Sequence, residues 1–148
     1  MARGQRRKAE TARRHMSLRV AAPTLEELER RAREAGEPRN ALAERYIAEG
    51  LRMDEHPQIS FRDGALGRRA ALLGTRLDVW QVMETVRNHH NSVEEAADYL
   101  DLPTEKVRAA VRYYAAYRDE VDAFAARASA VAERAEAAWR AEQEILAS

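Results

Sequence analysis

The chain of 148 residues contains no cysteine, no apolar run near membrane-spanning length and only two lysines, Lys8 and Lys106. The first absence excludes disulfide stapling and the second leaves no candidate transmembrane helix. The N-terminus also lacks the apolar core of a secretory signal, so the expectation is a soluble, cytoplasmic protein without membrane contact. Catalytic signatures are missing too. No nucleophile stands with a base, no glycine-rich phosphate loop occurs, and no carboxylate pair sits in an apolar setting, so neither an enzyme nor a cofactor is expected. His89-His90 with Glu94 has the residue types of a metal site, but adjacent histidines on a helix point apart and these fall at a polar turn, so no metal is expected. The near-absence of lysine makes almost all positive charge arginine, which fits biased base composition as well as guanidinium recognition of phosphate.

What is present is a globular composition, with 34% charged and 45% hydrophobic residues. Net charge is zero but unevenly placed: residues 1–19 carry a balance of +6, residues 119–148 one of −4. Such asymmetry fits a chain with different partners at its two ends. Residues 1–13 have no apolar periodicity and read as a disordered basic arm, in which Arg6, Arg7, Lys8 and Arg13, with Arg14 next to it, are placed to meet phosphates.

Next comes Arg13-Arg14-His15-Met16-Ser17-Leu18-Arg19-Val20-Ala21, where Met16, Leu18 and Val20 fall on one face of an extended strand and His15, Ser17 and Arg19 on the other. A lone strand is completed most economically by the same strand of a second subunit, and a two-stranded ribbon fits the DNA major groove. After it, Pro23 and Thr24 start a helix with Leu25, Leu28, Ala32 and Ala35 at helical spacing, ended by Gly36. Asn40 is placed to cap a second helix from Ala41 to about Met53, with Leu42, Tyr46, Ile47 and Leu51 as its buried stripe.

Asp54 to Gln58 reads as a linker. Two short strands, Ile59 to Arg62 and Ala70 to Leu73, are expected around Asp63-Gly64, followed by a sharp turn at Gly74-Thr75-Arg76. There, Arg76 would pair with a carboxylate such as Asp78. Asp78 with Gln81, and Ser92 with Glu95, form capping-box patterns that open two helices, the first with Val79, Val82, Met83 and Val86 inward and the second with Ala96, Ala97 and Leu100. Asp101-Leu102-Pro103 turns the chain, and Thr104 caps a helix with Val107, Val111 and Tyr114 inward and Glu105, Lys106, Arg108, Ala109 and Arg112 outward. The stretch 119–148 is nearly all helix-forming, with Phe124, Ala128, Val131, Ala135, Ala138, Trp139 and Leu146 on one face. That face either packs on the chain itself or lies against a partner.

Residues 15–53 resemble the ribbon-helix-helix family of repressors and antitoxins, in the order of strand, Leu28, Ala32, Gly36 and Asn40. The resemblance implies a homodimer on double-stranded DNA, with His15, Ser17 and Arg19 on base edges and the backbone N–H groups of Asn40, Ala41 and Leu42 clamping a phosphate. Residues 54–122 resemble small bacterial domains of formally unassigned function that pair with nuclease-like toxins, through His56-Pro57-Gln58-Ile59, Gly74-Thr75-Arg76-Leu77-Asp78-Val79 and Val107 to Ala116. The helix-turn-helix spacing from Ser92 to Arg112 adds Lys106, Arg108 and Arg112 as candidate DNA contacts, although Asp101 stands where glycine is usual and few basic residues face out. Dimerisation or scaffold duty is the open alternative.

The expected fold is mainly α: a basic arm (1–13), a ribbon-helix-helix dimer with a short β-ribbon (14–53), a helix-turn-helix-type domain with a small hairpin (54–122) and a C-terminal amphipathic helix (123–148). Both resemblances imply a DNA-binding antitoxin that represses its own operon and neutralises a PIN-like ribonuclease toxin, contacted through Phe124, Val131, Trp139 and Leu146. A stand-alone repressor without a toxin is the alternative.

Overall fold

The computed structural model describes residues 12–147. Among them are six helices and one two-stranded antiparallel sheet. The chain divides inside its second helix into two compact units, Met1–Arg45 and Tyr46–Ser148.

In the first unit, α1 spans Ala22–Ala35, starting one residue before the expected Pro23. Proline is tolerated there because first-turn N–H groups have no intrahelical acceptor. Gly36 ends the helix at φ 65°, where a side chain is disfavoured, and Glu37 N–H then donates to the Ala32 carbonyl at 3.0 Å. On the solvent face Arg30 bridges Glu27 (2.6 Å) and Glu34 (2.5 Å), and Arg31 adds to Glu27 at 2.8 Å. These hydrogen bonds from Arg30 and Arg31 hold the Glu27 carboxyl down at about 2.

Helix α2 spans Arg39–Glu55, longer at both ends than the expected Ala41 to Met53. Leu42 N–H donates to the Pro38 carbonyl at 3.1 Å, which puts Asn40 inside the first turn and not at the cap. The expected buried stripe is also incomplete. Leu42 is buried, but Tyr46, Ile47 and Leu51 are 41%, 42% and 66% exposed.

The second unit holds β1 (Ile59–Arg62) and β2 (Arg69–Leu72), paired Ile59 to Leu72 through Arg62 to Arg69. The second strand starts and ends one residue earlier than its alternation suggests. Leu73 is left 48% exposed, because Gly74 already turns at φ 74°. Helices α3 (Val79–Asn88), α4 (Val93–Leu100) and α5 (Thr104–Ala116) pack on one another and on the hairpin. α4 and α5 are joined by the three residues Asp101, Leu102 and Pro103. The expected inward positions of α3 are all buried, and Ser92 Oγ accepts from Glu95 N–H at 3.1 Å as its capping pattern requires. In α5 the register differs: Ala110 and Tyr113 are fully buried with Val107, while Val111 and Tyr114 are half-buried and pack at the margin of the core, as does Ala109. Thr104 is the first residue of that helix and makes no side-chain cap, the capping position falling to Pro103.

Helix α6, Arg118–Leu146, follows α5 after Tyr117. Its first turns pack on α3, α5 and β2 through Val121 and Phe124, and from Ser129 to Ala147 every residue is exposed. No helix among the described residues is long and apolar enough to cross a membrane.

Candidate nucleic-acid interface

Residues 12–21 form neither helix nor strand in the single chain and are exposed throughout, Arg13, Arg14, His15, Ser17 and Arg19 included. The strand expected from the alternation is therefore not seen in the single chain, where no other described segment pairs with it. Met16, Leu18 and Val20, the apolar half of the alternation, are 64%, 67% and 44% exposed. Arg6, Arg7 and Lys8 lie outside the described residues.

Of the three amides expected to clamp a phosphate at the start of α2, one is already bonded within the chain. Leu42 N–H is taken by Pro38, while Asn40 and Ala41, both exposed, belong to the first turn, whose amides have no intrahelical acceptor. Arg39 precedes them and pairs with Glu29 at 3.0 Å.

On α5 each of the three candidate basic residues is already engaged. Lys106 Nζ donates to the Leu73 carbonyl at 2.7 Å, Arg108 pairs with Glu94 at 2.8 Å, and Arg112 pairs with Glu105 at 3.2 Å. Carboxylates on α4 and on α5 itself thus neutralise the face that a recognition helix would present. This pairing is not legible in the sequence, because Glu94 reaches Arg108 only across the turn between helices.

The Gly-Thr-Arg segment proves structural at its first two residues. Thr75 Oγ1 donates to the Leu72 carbonyl (2.8 Å) and accepts from Leu77 N–H (3.0 Å), fastening the turn. Arg76 is exposed and pairs with no carboxylate among the described residues, contrary to the expected contact with Asp78. Asp78 is instead approached from the hairpin. Arg69 Nε donates to Oδ2 at 2.8 Å, Trp80 Nε1 to the same oxygen at 3.2 Å, and an Arg62 guanidinium nitrogen lies 3.6 Å from Oδ1. Arg62 further donates to the carbonyls of Thr75 (3.1 Å) and Leu77 (2.9 Å). The expected capping box is built as well: Gln81 Oε1 accepts from Asp78 N–H at 2.9 Å and the Asp78 side chain faces the Gln81 backbone N–H, so the same carboxylate serves both the helix start and the arginines.

A second polar network escaped the sequence entirely. An Arg52 guanidinium nitrogen donates to Tyr113 Oη (3.0 Å) and to Glu120 (2.9 Å), and Tyr113 Oη donates to Glu120 at 3.1 Å. Burial pushes the Tyr113 phenol up, aided by the Glu120 charge. Burial works against the charged form of Arg52, but the bond to Glu120 and its charge outweigh it and hold the guanidinium protonated. Sequence separations of 61 and 68 residues left no local signal. Both networks tie together separate elements of the chain. His89 Nδ1 lies 2.8 Å from the Thr85 carbonyl and His90 lies 3.3 Å from Glu95. Among the described residues no group of three His, Asp or Glu side chains could hold a metal ion.

The candidate protein-contact residues on α6 divide. Phe124 is buried, with its ring 6.4 Å from Trp80, and belongs to the unit's own interior. Val131, Trp139 and Leu146 are 39%, 59% and 72% exposed, so the stripe beyond Phe124 does not pack on its own unit.

Residues 59–114, from the start of β1 into α5, match the profile of a family described as a protein of unknown function (DUF433). The match spans less than half of the chain; it covers the Gly-Thr-Arg motif whole, Ile59 of the first motif and residues 107–114 of the third. Neither a curated protein nor a solved structure matches the chain.

Proposed function

We propose that this chain is a dimeric DNA-binding regulator of the antitoxin type, which represses its own operon through an N-terminal ribbon and neutralises a PIN-like ribonuclease. The observation that carries the DNA-binding part is the exposure of Met16, Leu18 and Val20 at alternate positions behind a basic arm. Three apolar side chains left in water at period two are what an unpaired ribbon strand presents, and pairing with a second copy would turn Ser17 and Arg19 to the opposite, groove-facing side. The αL glycine after α1 and the exposed first turn of α2 support the same reading. The candidate basic residues of α5, already engaged within the chain, are not needed for this reading.

Gel-shift titrations test this. The Arg19→Ala chain should lose about 1–3 kcal/mol of discrimination between operator and scrambled DNA, because a bidentate guanine contact carries that much. Unchanged discrimination would remove Arg19 from the reading face. Deleting residues 2–12 should weaken binding to all sequences alike and flatten its salt dependence, since each lost phosphate contact removes about 0.9 from the log–log slope.

For the ribonuclease, the supporting feature is the exposed far part of α6 with the acidic balance of the segment. A stand-alone repressor without a toxin is the alternative reading. Co-expression with the product of the neighbouring reading frame, followed by pull-down, separates the two forms.

A further inference from the structure

We infer that the exposed C-terminal part of α6 is a docking surface for a second copy of this chain, laid antiparallel across it with the two-fold axis at Ala138. This stands apart from the DNA-binding reading and competes with the ribonuclease reading for the same surface.

From Ser129 to Leu146 every residue of the helix is exposed, a length of about 27 Å at 1.5 Å per residue. At 3.6 residues per turn, Val131, Ala135, Ala138, Glu142 and Ile145 fall within an arc of about 80°, with Trp139 and Leu146 along one border and Arg134 along the other. Trp139, Ile145 and Leu146 are 59%, 76% and 72% exposed. The opposite face is polar and settles its charges locally: Arg140 pairs with Glu136 one turn back, and Ser129 Oγ donates to Glu133 at 3.3 Å. Arg134 and Glu142, the two charges on the apolar side, form no ion pair among the described residues. Within the helix, the residues three and four positions toward each other from them are alanines or Trp139, so neither finds an ion-pair partner on its own helix among the described residues.

Their spacing identifies the occupant. Ala138 lies midway between Arg134 and Glu142, and also midway between Val131 and Ile145. An isologous antiparallel pair about Ala138 therefore sets Arg134 of each copy against Glu142 of the other and Val131 against Ile145, each contact occurring twice. Alanines at 135, 138 and 141 keep the crossing point small enough for close approach. A parallel, in-register pair would place Arg134 beside Arg134 and Glu142 beside Glu142, which like-charge repulsion disfavours. The antiparallel arrangement also opposes the two helix dipoles favourably and supplies a cation near a C-terminus whose own last turn carries no basic residue.

The test uses the full chain, whose lack of cysteine makes single-cysteine variants clean reporters. Under mild oxidation the Ala138→Cys chain should form a covalent dimer, whereas the Ser129→Cys chain, altered on the polar face, should not. Adding Arg134→Glu to Ala138→Cys should abolish the cross-link by facing two carboxylates, and adding Glu142→Arg as well should restore it. A parallel pair predicts no loss with Arg134→Glu, since like already faces like there. That result would overturn the proposal, as would Ala138→Cys cross-linking no better than Ser129→Cys, which would leave the stripe to a different protein. Gel shifts on the Arg134→Glu chain keep the two readings apart, because DNA binding should be unchanged.

Discussion

Asp78 sits where strand, turn and helix meet, and its carboxylate is the acceptor that both hairpin arginines share. Removing it leaves two guanidinium groups facing an apolar interior. Asp78→Ala should therefore cost about 3 kcal/mol in chemical denaturation, the lower end for a broken buried pair because both arginines keep some contact with water. Asp101 offers a contrasting case. It ends α4 in the left-handed region at φ 53°, where Leu102 N–H reaches back to the Ala97 carbonyl at 2.9 Å. Glycine adopts that conformation without a steric penalty, so Asp101→Gly should be neutral or stabilise by up to about 1 kcal/mol, and Asp101→Val should destabilise by about 1–2 kcal/mol. Thermal melts of the pair check the sign; a loss with glycine would mean that the aspartate side chain does more than tolerate the turn.

At the scale of the element, α6 is two things in one helix. Its first turns belong to the core through Val121 and Phe124, and its remainder is held by intrinsic helicity, being rich in alanine with ion pairs on the outer face. Ending the chain after Ala128 should leave the melting transition of the second unit within about 0.5 kcal/mol of the full chain, as for other surface changes. Ending it at Arg118 removes Phe124 and Val121 and should cost about 3–5 kcal/mol, the range for deleting a buried large side chain. Equal losses from the two truncations would show that the far part of the helix packs after all.

For the whole molecule, pH acts on the two units from opposite ends of the scale. The Tyr113 phenol, raised above its ordinary value of 10.0 by burial, contributes stability that is complete below pH 10 and is lost as pH climbs toward the folded value, since the unfolded phenol releases its proton first. Glu27, lowered from 4.5 to about 2 by Arg30 and Arg31, acts the other way: its contribution is present above 4.5 and disappears as pH falls through about 2. Alkaline titration should therefore unfold the second unit with a near-ultraviolet tyrosine signal that Tyr113→Phe removes. Acid should weaken α1, followed by loss of helical circular dichroism.

Local chemistry was enough to fix most elements in advance. The αL stop at Gly36, the Ser92 cap, the hairpin from Ile59 and the four inward positions of α3 depend on nearest neighbours and periodicity, and both are written in the sequence. Tertiary structure decided the rest. The packing of α5 against α3 and β1 selected Ala110 and Tyr113 over Val111 and Tyr114. It also fixed the fate of the charges: Arg69 and Arg62 on Asp78, Arg108 on Glu94, Arg52 on Glu120. A periodic pattern reports which side of an element is apolar. Which of several marginal residues is buried, and which carboxylate an arginine meets, depends on groups distant in sequence that only folding brings within hydrogen-bond reach.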